Sequence, residues 1–235
     1  MRRLPVLLAL AVLPLALVAC TGADAQKAQS LLDQARVAQQ SVRSENFSLN
    51  ATIEAAGKSV QLGATGGSIL KGAGAGDFYA DMTTTVPGAA TPTTVVMVKR
   101  GRTFTMTLDG IARKVPVPAS VKASAPTGFD LNALTPYVKD VSVSSMDVNG
   151  ETDDEVVGTI DGDALLGNLA GLDKGLFKGL GASLGDIKVT LLIPRDSHLV
   201  ETALIDMTMH VAKQSMHMSL SYAVTSVNQP VAFPS

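Results

Sequence analysis

Hydrophobic and polar residues follow two different periods along this chain. Between residues 28 and 42, apolar residues recur every three or four positions, which predicts one amphipathic helix with an apolar stripe. The stripe consists of Ala28, Leu31, Leu32, Ala35, Ala38 and Val42. After Glu45 the period falls to two, because apolar and polar residues alternate from 47 to 55. This alternation predicts a strand with one buried face.

The period of two continues, with interruptions, through the rest of the chain. Gly57-Lys58 predicts a turn, and a Pro/Thr/Ala loop at 86–94 and a Pro-rich linker at 115–127 separate groups of strands. Asp130 is a candidate cap for a short helix that reaches Tyr137. Further strands are predicted at 60–64, 77–85, 95–98, 103–108, 141–148, 156–160, 187–193, 205–211 and 216–224. About nine to eleven strands without βαβ alternation favour an α+β fold, with one curved antiparallel sheet packed on a few helices.

The last two strands predict a hairpin in which two apolar faces coincide. A turn at Lys213-Gln214 pairs Val211 with Met216, and the same register pairs two further sets of apolar residues. These sets are Met209 with Met218 and Met207 with Leu220. On the polar side of the hairpin, this register places His210 opposite His217.

The first twenty residues predict an exported protein with a lipid anchor. Two arginines precede an apolar run at 4–18, which is shorter than the ~20 residues of a membrane-spanning helix and typical of a signal peptide. Leu17-Val18-Ala19-Cys20 resembles the bacterial lipobox, which implies cleavage after residue 19 and a diacylglyceryl thioether on Cys20. The alternative is that Cys20 is an apolar residue near an ordinary cleavage site. We expect a signal peptide at 1–19, a lipidated tether at 20–26 and a single domain at 27–235, on the extracytoplasmic face of the cell membrane.

The composition excludes several classes of function. The formal net charge is −2, from 19 basic and 21 acidic residues, so no basic excess attracts nucleic acid. A single Cys excludes a disulfide framework and a cysteine-cluster metal site. Three His and an aromatic content of 4% offer few groups for metal binding or base stacking. We therefore expect no cofactor, no metal and no nucleic-acid partner.

Three short motifs carry little chemistry. Residues 181–185 match the G-x-S-x-G pattern around Ser183, but a strand is predicted after the serine where a hydrolase has a helix. The glycines of 72–76 lack dinucleotide-binding spacing and predict a flexible connection. The acidic residues 153–155 are predicted to lie in a solvated turn, with weak cation binding as the alternative. We therefore expect that the protein is not an enzyme.

Two apolar features support either a core or a cavity. Four methionines, at 207, 209, 216 and 218, share one predicted sheet face, and methionine suits both close packing and variable apolar ligands. The segment 165–184 is rich in both leucine and glycine, and each glycine destabilises a helix by about 1 kcal/mol relative to alanine. It is therefore either a loosely held lid over a cavity or a buried helix.

Five segments of the chain are similar to segments of a known protein family. They are Gly128-Phe129-Asp130-Leu131-Asn132-Ala133-Leu134, Gly158-Thr159-Ile160-Asp161-Gly162, His198-Leu199-Val200, Leu220-Ser221-Tyr222 and Asn228-Gln229-Pro230-Val231. On these residues the chain resembles, from roughly residue 27 to the end, the mycobacterial LprG/LppX lipoprotein family, which is related in fold to the LolA lipoprotein carrier. The resemblance implies a half-barrel sheet wrapped on helices, an apolar cavity for multi-acylated lipids or glycolipids, and work beside a membrane exporter. Where family members often have Val-Trp-Ile, this chain has Leu191-Leu192-Ile193.

The leading functional hypothesis is a membrane-anchored lipoprotein that binds acylated lipids or glycolipids in an apolar cavity and carries them across the envelope. A possible partner is a membrane exporter, and the alternative is a non-catalytic sensor or scaffold that binds a protein. The predicted cavity-lining residues are Phe47, Leu49, Ile53, Leu62, Val96, Val98, Phe104, Met106, Leu169, Leu172, Leu176, Phe177, Met207, Met209, Met216, Met218 and Leu220.

Overall fold

The computed structural model describes residues 22–116, 137–148, 150–162, 182–211 and 214–234. Within these ranges there are one helix and twelve strands. The helix is α1 (Gly22–Gln39) and the strands are β1 (Ser44–Ala55), β2 (Lys58–Ile69), β3 (Phe78–Thr85), β4 (Thr93–Arg100), β5 (Thr103–Leu108), β6 (Ile111–Pro116), β7 (Val138–Val148), β8 (Glu151–Ile160), β9 (Ala182–Leu184), β10 (Ile187–Pro194), β11 (Thr202–Val211) and β12 (Gln214–Val227).

The strands form one antiparallel sheet that does not close on itself. Their spatial order is β6-β5-β4-β3-β2-β1-β12-β11-β10-β8-β7, and the short β9 pairs with the end of β11 that β10 does not reach. Strands β6 and β7 are therefore the two edges. This architecture confirms the predicted α+β fold with a curved, half-barrel antiparallel sheet.

Helix α1 buries the predicted apolar stripe against the sheet. Ala28, Leu31, Leu32 and Ala35 are buried, and the helix packs mainly on β7. It ends at Gln39, three residues before buried Val42, which lies in the turn that leads into β1. Residues 22–26, which we expected in a tether, form the first turns of the helix.

Directly paired residues on neighbouring strands share a face of the sheet, so the register defines two faces. We call the face that carries the buried core and contacts α1 the inner face, and the opposite one the outer face. One continuous line of paired apolar residues crosses eleven strands on the inner face, and we call it the transverse row. From the β6 edge to the β7 edge it consists of Ile111, Leu108, Val95, Met82, Ala64, Leu49, Tyr222, Ala203, Leu191, Val156 and Val143.

The predicted register of the last hairpin is wrong by two residues. Val211 pairs with Gln214 in the structure, where we expected Met216, and Met209 pairs with Met216. Met207 pairs with Met218, and the predicted pairing of His210 with His217 is replaced by His210 with Ser215. A shift of two preserves which residues share a face, so the alternation pattern fits both registers equally well. The pairing seen in the structure, with Val211 opposite Gln214, selects one of the two registers.

Two local predictions also change. Asp153 and Asp154 lie within β8 and are 8% and 4% exposed, whereas we predicted a solvated turn. β8 stays paired with β7 and β10 through Asp153 and Asp154, beyond the apolar residues of the strand. The positive charge of Arg195 offsets the charge of the buried Asp154 carboxylate. The predicted linker starts within β6, which ends at Pro116.

The remaining predictions lie outside the described residues. These are the signal peptide, Cys20, the rest of the linker, most of the helix before Tyr137, and Leu169, Leu172, Leu176 and Phe177 of the leucine/glycine segment.

Candidate functional site

The inner face has a buried half and a partly exposed half. Along the transverse row, Tyr222, Ala203, Leu191 and Val156 are at most 2% exposed, because α1 and the core residues cover them. From Leu49 toward β6 the exposure rises. Leu49, Ala64, Met82 and Val95 are partly exposed, Leu108 is 45% exposed and Ile111 is 67% exposed. The described residues therefore leave an apolar surface open to solvent on the β1–β6 side of the sheet.

Eleven of the predicted lining residues lie on the inner face. They are Phe47, Leu49, Ile53, Leu62, Phe104, Met106, Met207, Met209, Met216, Met218 and Leu220. Phe47 and Leu220 are buried in the core, whereas the other nine are partly exposed. Met82, Val95 and Met97 are also partly exposed on the inner face, although the sequence did not predict them as lining residues. We call these twelve residues together the open apolar surface.

Val96 and Val98 lie on the outer face, contrary to the prediction. Val96 is paired with Asp81 and Val98 with Tyr79, whereas Met97 is paired with Met106 on the inner face. Residues 95–98 are apolar at every position, so alternation does not select a face there. The cross-strand partners decide it. Polar residues opposite Val96 were the available signal, because Asp81 and Thr107 fix its side of the sheet.

The four methionines form two cross-strand pairs at the β11–β12 end of the open apolar surface. Met207 pairs with Met218, and Met209 pairs with Met216. All four are partly exposed, so this part of the sheet is not a closed core among the described residues. Unbranched thioether side chains change rotamer at low cost and can adapt to apolar groups of different shape.

A buried polar cluster lies at the opposite end of the inner face. The Tyr222 hydroxyl donates to Glu45 Oε1 at 3.1 Å, and the Ser68 hydroxyl donates to the same oxygen at 3.3 Å. Burial, and then the charge of the Glu45 carboxylate, raise the pKa of Tyr222 well above its usual range. The Tyr222 ring stacks on Phe47 with 5.5 Å between ring centroids. These contacts fix the positions of the Phe47 and Tyr222 rings. The open apolar surface begins next to them, at Leu49, which pairs with Tyr222.

An ionic contact fastens the beginning of α1 to the sheet. Arg195 donates two hydrogen bonds to Asp154, from Nε to Oδ2 at 3.2 Å and from Nη2 to Oδ1 at 3.0 Å. Lys27 Nζ of α1 lies 3.6 Å from Asp154 Oδ1. The helix is thus attached over the β7–β8 side, which leaves the β1–β6 side of the inner face outside its reach.

The motifs that suggested catalysis or metal binding do not assemble into a site. Ser183 lies in β9 and is followed by β10, so the helix that a nucleophile elbow requires after the serine does not occur. His210 Nδ1 lies 2.9 Å from Ser215 Oγ, and His217 Nε2 lies 4.0 Å from Asp206 Oδ1 on the outer face. Within the described residues, no three His, Cys, Asp or Glu side chains converge as metal ligands do.

Two further features complete the description of the surface. A shallow depression of about 630 Å³ lies between the solvent side of α1 and His198, and a second of about 440 Å³ lies beside the β1–β2 turn. None of the predicted lining residues borders either depression. The helix that the structure describes lacks the length and apolar character needed to cross a bilayer.

The fold is similar to those of mycobacterial lipoproteins of known structure. The crystal structure of Mycobacterium tuberculosis lipoprotein LppX matches with a TM-score of 0.52 and 15% identity, over 89% of this chain and 99% of that chain. LprF from Mycobacterium bovis matches with a TM-score of 0.49 and 16% identity, over 89% of this chain and 97% of that chain. At this identity the likeness to LppX is one of fold, and it confirms at that level the resemblance seen in the sequence. No protein-family model and no curated protein matches the chain.

Proposed function

We propose that this protein is a membrane-anchored lipoprotein that binds the acyl chains of lipids or glycolipids on its inner face and carries them across the cell envelope. The observation that carries the proposal is the open apolar surface. Its residues lie on one face of β1–β5, β11 and β12 and remain partly exposed beside a well-buried core. The fold shared with a mycobacterial lipoprotein and the lipobox ending in Cys20 support the same function.

The chemistry of this surface suits hydrocarbon rather than a polar ligand. Aliphatic and methionine side chains offer area without hydrogen-bond donors, and burying acyl carbon from water stabilises a complex by ~0.8 kcal/mol per CH₂. Transfer from a bilayer exchanges one apolar environment for another, so its net free energy is close to zero. Loading and unloading then stay reversible, as a carrier requires.

Lipid that stays bound through purification tests the proposal. The protein is expressed from residue 21 in a lipid-rich bacterial host, purified, and examined by native and denaturing mass spectrometry. We expect a mass shift in the native spectrum and an acylated lipid in the denatured extract. A protein that carries no lipid and takes up no fluorescent fatty-acyl probe contradicts the proposal, and a bound protein partner in its place favours the scaffold alternative.

Adjacent residues of β4 provide a matched pair of variants. Met97→Gln introduces an amide into the open apolar surface, whereas Val96→Gln introduces the same group on the outer face one residue away. We expect Met97→Gln to weaken binding of the acyl probe about tenfold, because burying an unpaired amide against hydrocarbon costs roughly 1–3 kcal/mol. Val96→Gln keeps the affinity of the original protein. Equal affinities of both variants contradict binding on the inner face.

A further inference from the structure

The β6 edge of the sheet ends in exposed apolar side chains. Leu108 and Ile111 face each other across the β5–β6 turn, and Val86 in the β3–β4 connection is 45% exposed. The two turns are adjacent, because the Asp109 N–H donates to the Thr94 carbonyl oxygen at 3.0 Å and the Thr94 N–H donates to Asp109 Oδ1 at 3.1 Å. We call Val86, Leu108 and Ile111 the edge tip.

The strands that carry the edge tip are strongly basic. Residues 93–116 contain five basic residues and one acidic residue, a net charge of +4. One of the five, Lys99, is buried and donates to the Gly76 carbonyl oxygen at 2.6 Å. Arg113 and Lys114 are exposed close to Ile111, whereas Arg100 and Arg102 are exposed at the β4–β5 turn, at the opposite end of these strands. The Arg113 side chain forms no hydrogen bond or ion pair with the residues that the structure describes, although its backbone belongs to the β5–β6 ladder.

The opposite side of the sheet has the opposite charge. The described residues from 137 to 211 contain eleven acidic and three basic residues, a net charge of −8. The chain as a whole is nearly neutral, so this separation gives the molecule one positive edge and one negative side. An anionic surface therefore attracts the β6 edge and repels the β7–β11 side.

Leu108 and Ile111 flank one turn, and the exposed cations Arg113 and Lys114 follow within three residues of Ile111. Exposed apolar side chains beside exposed cations form the combination with which proteins bind the interface of an anionic bilayer. The apolar side chains enter the boundary between headgroups and acyl chains, and the cations pair with the lipid phosphates. Leu108 and Ile111 are also the first two members of the transverse row, which continues without a polar residue to the buried core. The edge tip is thus the outermost part of the same apolar surface.

We propose that the edge tip and its exposed cations dock the protein on an anionic phospholipid bilayer, so that acyl chains move between the bilayer and the open apolar surface along the transverse row. The docking stands independently of lipid carriage, whereas its use as a transfer route rests on the proposed function. Arg113 extends from the inner face of β6 next to Met106 and is placed to contact a lipid phosphate while the tail lies along the row.

Vesicle flotation tests the docking. The protein is produced from residue 21, which retains every described element and prevents lipidation at Cys20. It is mixed with vesicles of phosphatidylcholine alone or of phosphatidylcholine with phosphatidylglycerol. We expect flotation with the anionic vesicles only, and its loss at high salt, because salt screens exposed charges. Equal flotation with both compositions, or none with either, overturns the proposal.

Variants at the edge and matched variants elsewhere locate the contact. Arg113→Gln/Lys114→Gln removes two cations and is expected to weaken vesicle binding about 25-fold, at about fivefold for each cation. Ile111→Ser removes the most exposed residue of the edge tip and also weakens binding. The controls are Lys188→Gln, on the acidic side, and Leu204→Ser, which changes a 41% exposed leucine on the outer face of β11. Controls that weaken flotation as much as the edge variants overturn the assignment.

Two readouts separate this proposal from the proposed function. Loading of an acyl probe from detergent micelles measures lipid binding without a bilayer, and vesicle flotation measures docking. Edge variants that load normally from micelles, load slowly from anionic vesicles and unfold at the original temperature support docking as the transfer route. Normal loading from vesicles by the same variants overturns that route while lipid binding itself stands.

Discussion

At the residue scale, close packing against the Phe47 ring and the β3 backbone requires a glycine at position 66 of β2. A Cβ atom on Gly66 would lie 2.4 Å from Cζ of Phe47 and 2.4 Å from the carbonyl oxygen of Tyr79. Phe47 therefore lies over a residue without a side chain, which lets its ring stack on Tyr222. A larger residue at position 66 therefore displaces the Phe47 ring from its place in the core.

Alanine substitutions on one strand test this packing. Gly66→Ala is expected to destabilise the protein by about 1–3 kcal/mol, because neither the Phe47 ring nor the β3 backbone can yield freely. Gly63→Ala, three residues earlier, places a Cβ 3.7 Å from Asn50 Oδ1 and is expected to be neutral or to stabilise by up to about 1 kcal/mol. Urea unfolding measures both. Equal effects of the two substitutions contradict the packing at Gly66.

The buried tyrosine provides a spectroscopic prediction. Because burial and the Glu45 carboxylate raise the pKa of Tyr222, the phenol stays neutral in the folded protein when free tyrosine ionises. The stability that this contributes is complete below about pH 10 and is lost as the pH rises further, since only the unfolded state then releases the proton.

We therefore expect Tyr222→Phe to leave the alkaline absorbance titration of the folded protein unchanged. After unfolding, the same substitution removes one of the three tyrosines that titrate. The variant is also expected to lose about 1.5–3 kcal/mol of stability at neutral pH, because a hydrogen bond to a charged group is removed. A titration of the folded variant that lacks one phenol below pH 10 contradicts this assignment.

At the element scale, the attachment of α1 decides which half of the inner face this helix covers. The Asp154 side chain is 6% exposed and bonds Arg195, with Lys27 of α1 nearby, whereas the ion pair of Asp33 with Arg36 within the helix is exposed. A buried carboxylate with two hydrogen bonds fixes geometry in a way that an exposed pair on one helix cannot.

Equivalent substitutions of the two aspartates separate these roles. Asp154→Asn is expected to destabilise the protein by about 1–3 kcal/mol, because Arg195 loses its charged acceptor. Asp33→Asn changes the stability by less than about 0.5 kcal/mol. Thermal unfolding monitored by circular dichroism measures both variants. If Asp33→Asn is the more harmful, α1 is not held through Asp154.

At the scale of the whole molecule, the separation of charge affects stability as well as docking. Glu201 lies on the acidic side, and burial raises its pKa, with further contributions from Asp153, Asp196 and Glu151. A carboxyl group whose pKa is higher in the folded state destabilises the fold once it ionises. The penalty is therefore absent below the pKa of the unfolded chain and grows as the pH rises through the folded pKa.

Glu201→Gln is accordingly expected to stabilise the protein at pH 7 and to leave its stability unchanged at pH 3, where the carboxyl is protonated in both states. The gain is smaller at high salt, because salt screens the repulsion among exposed carboxylates. Denaturant unfolding at the two pH values measures it. If the stabilisation is equally large at both pH values, the effect comes from the shape of the side chain at position 201 and not from the charge of Glu201.

The sequence by itself determined the helix, most of the strands and the faces of those strands, but it predicted neither β6 nor β9. The helical stripe from Ala28 to Ala35, the alternation that begins at Phe47 and the shared face of the four methionines all follow from local periods, and the structure has each of them. These features are local, because the repeat of a helix or strand decides which side chains point together.

Tertiary structure alone decided pairing and coverage. The hairpin register, the outer-face position of Val96 and the burial of Asp154 depend on which residues meet across neighbouring strands and loops, and more than one arrangement satisfies the same alternation. The attachment of α1 over the β7 side likewise joins parts of the chain that are distant in sequence, through the buried stripe of the helix and the 3.6 Å contact between Lys27 and Asp154. Only the packing of α1 over β7 shows which half of the inner face the described residues leave open, because a period specifies which face of a strand is apolar but not what covers it.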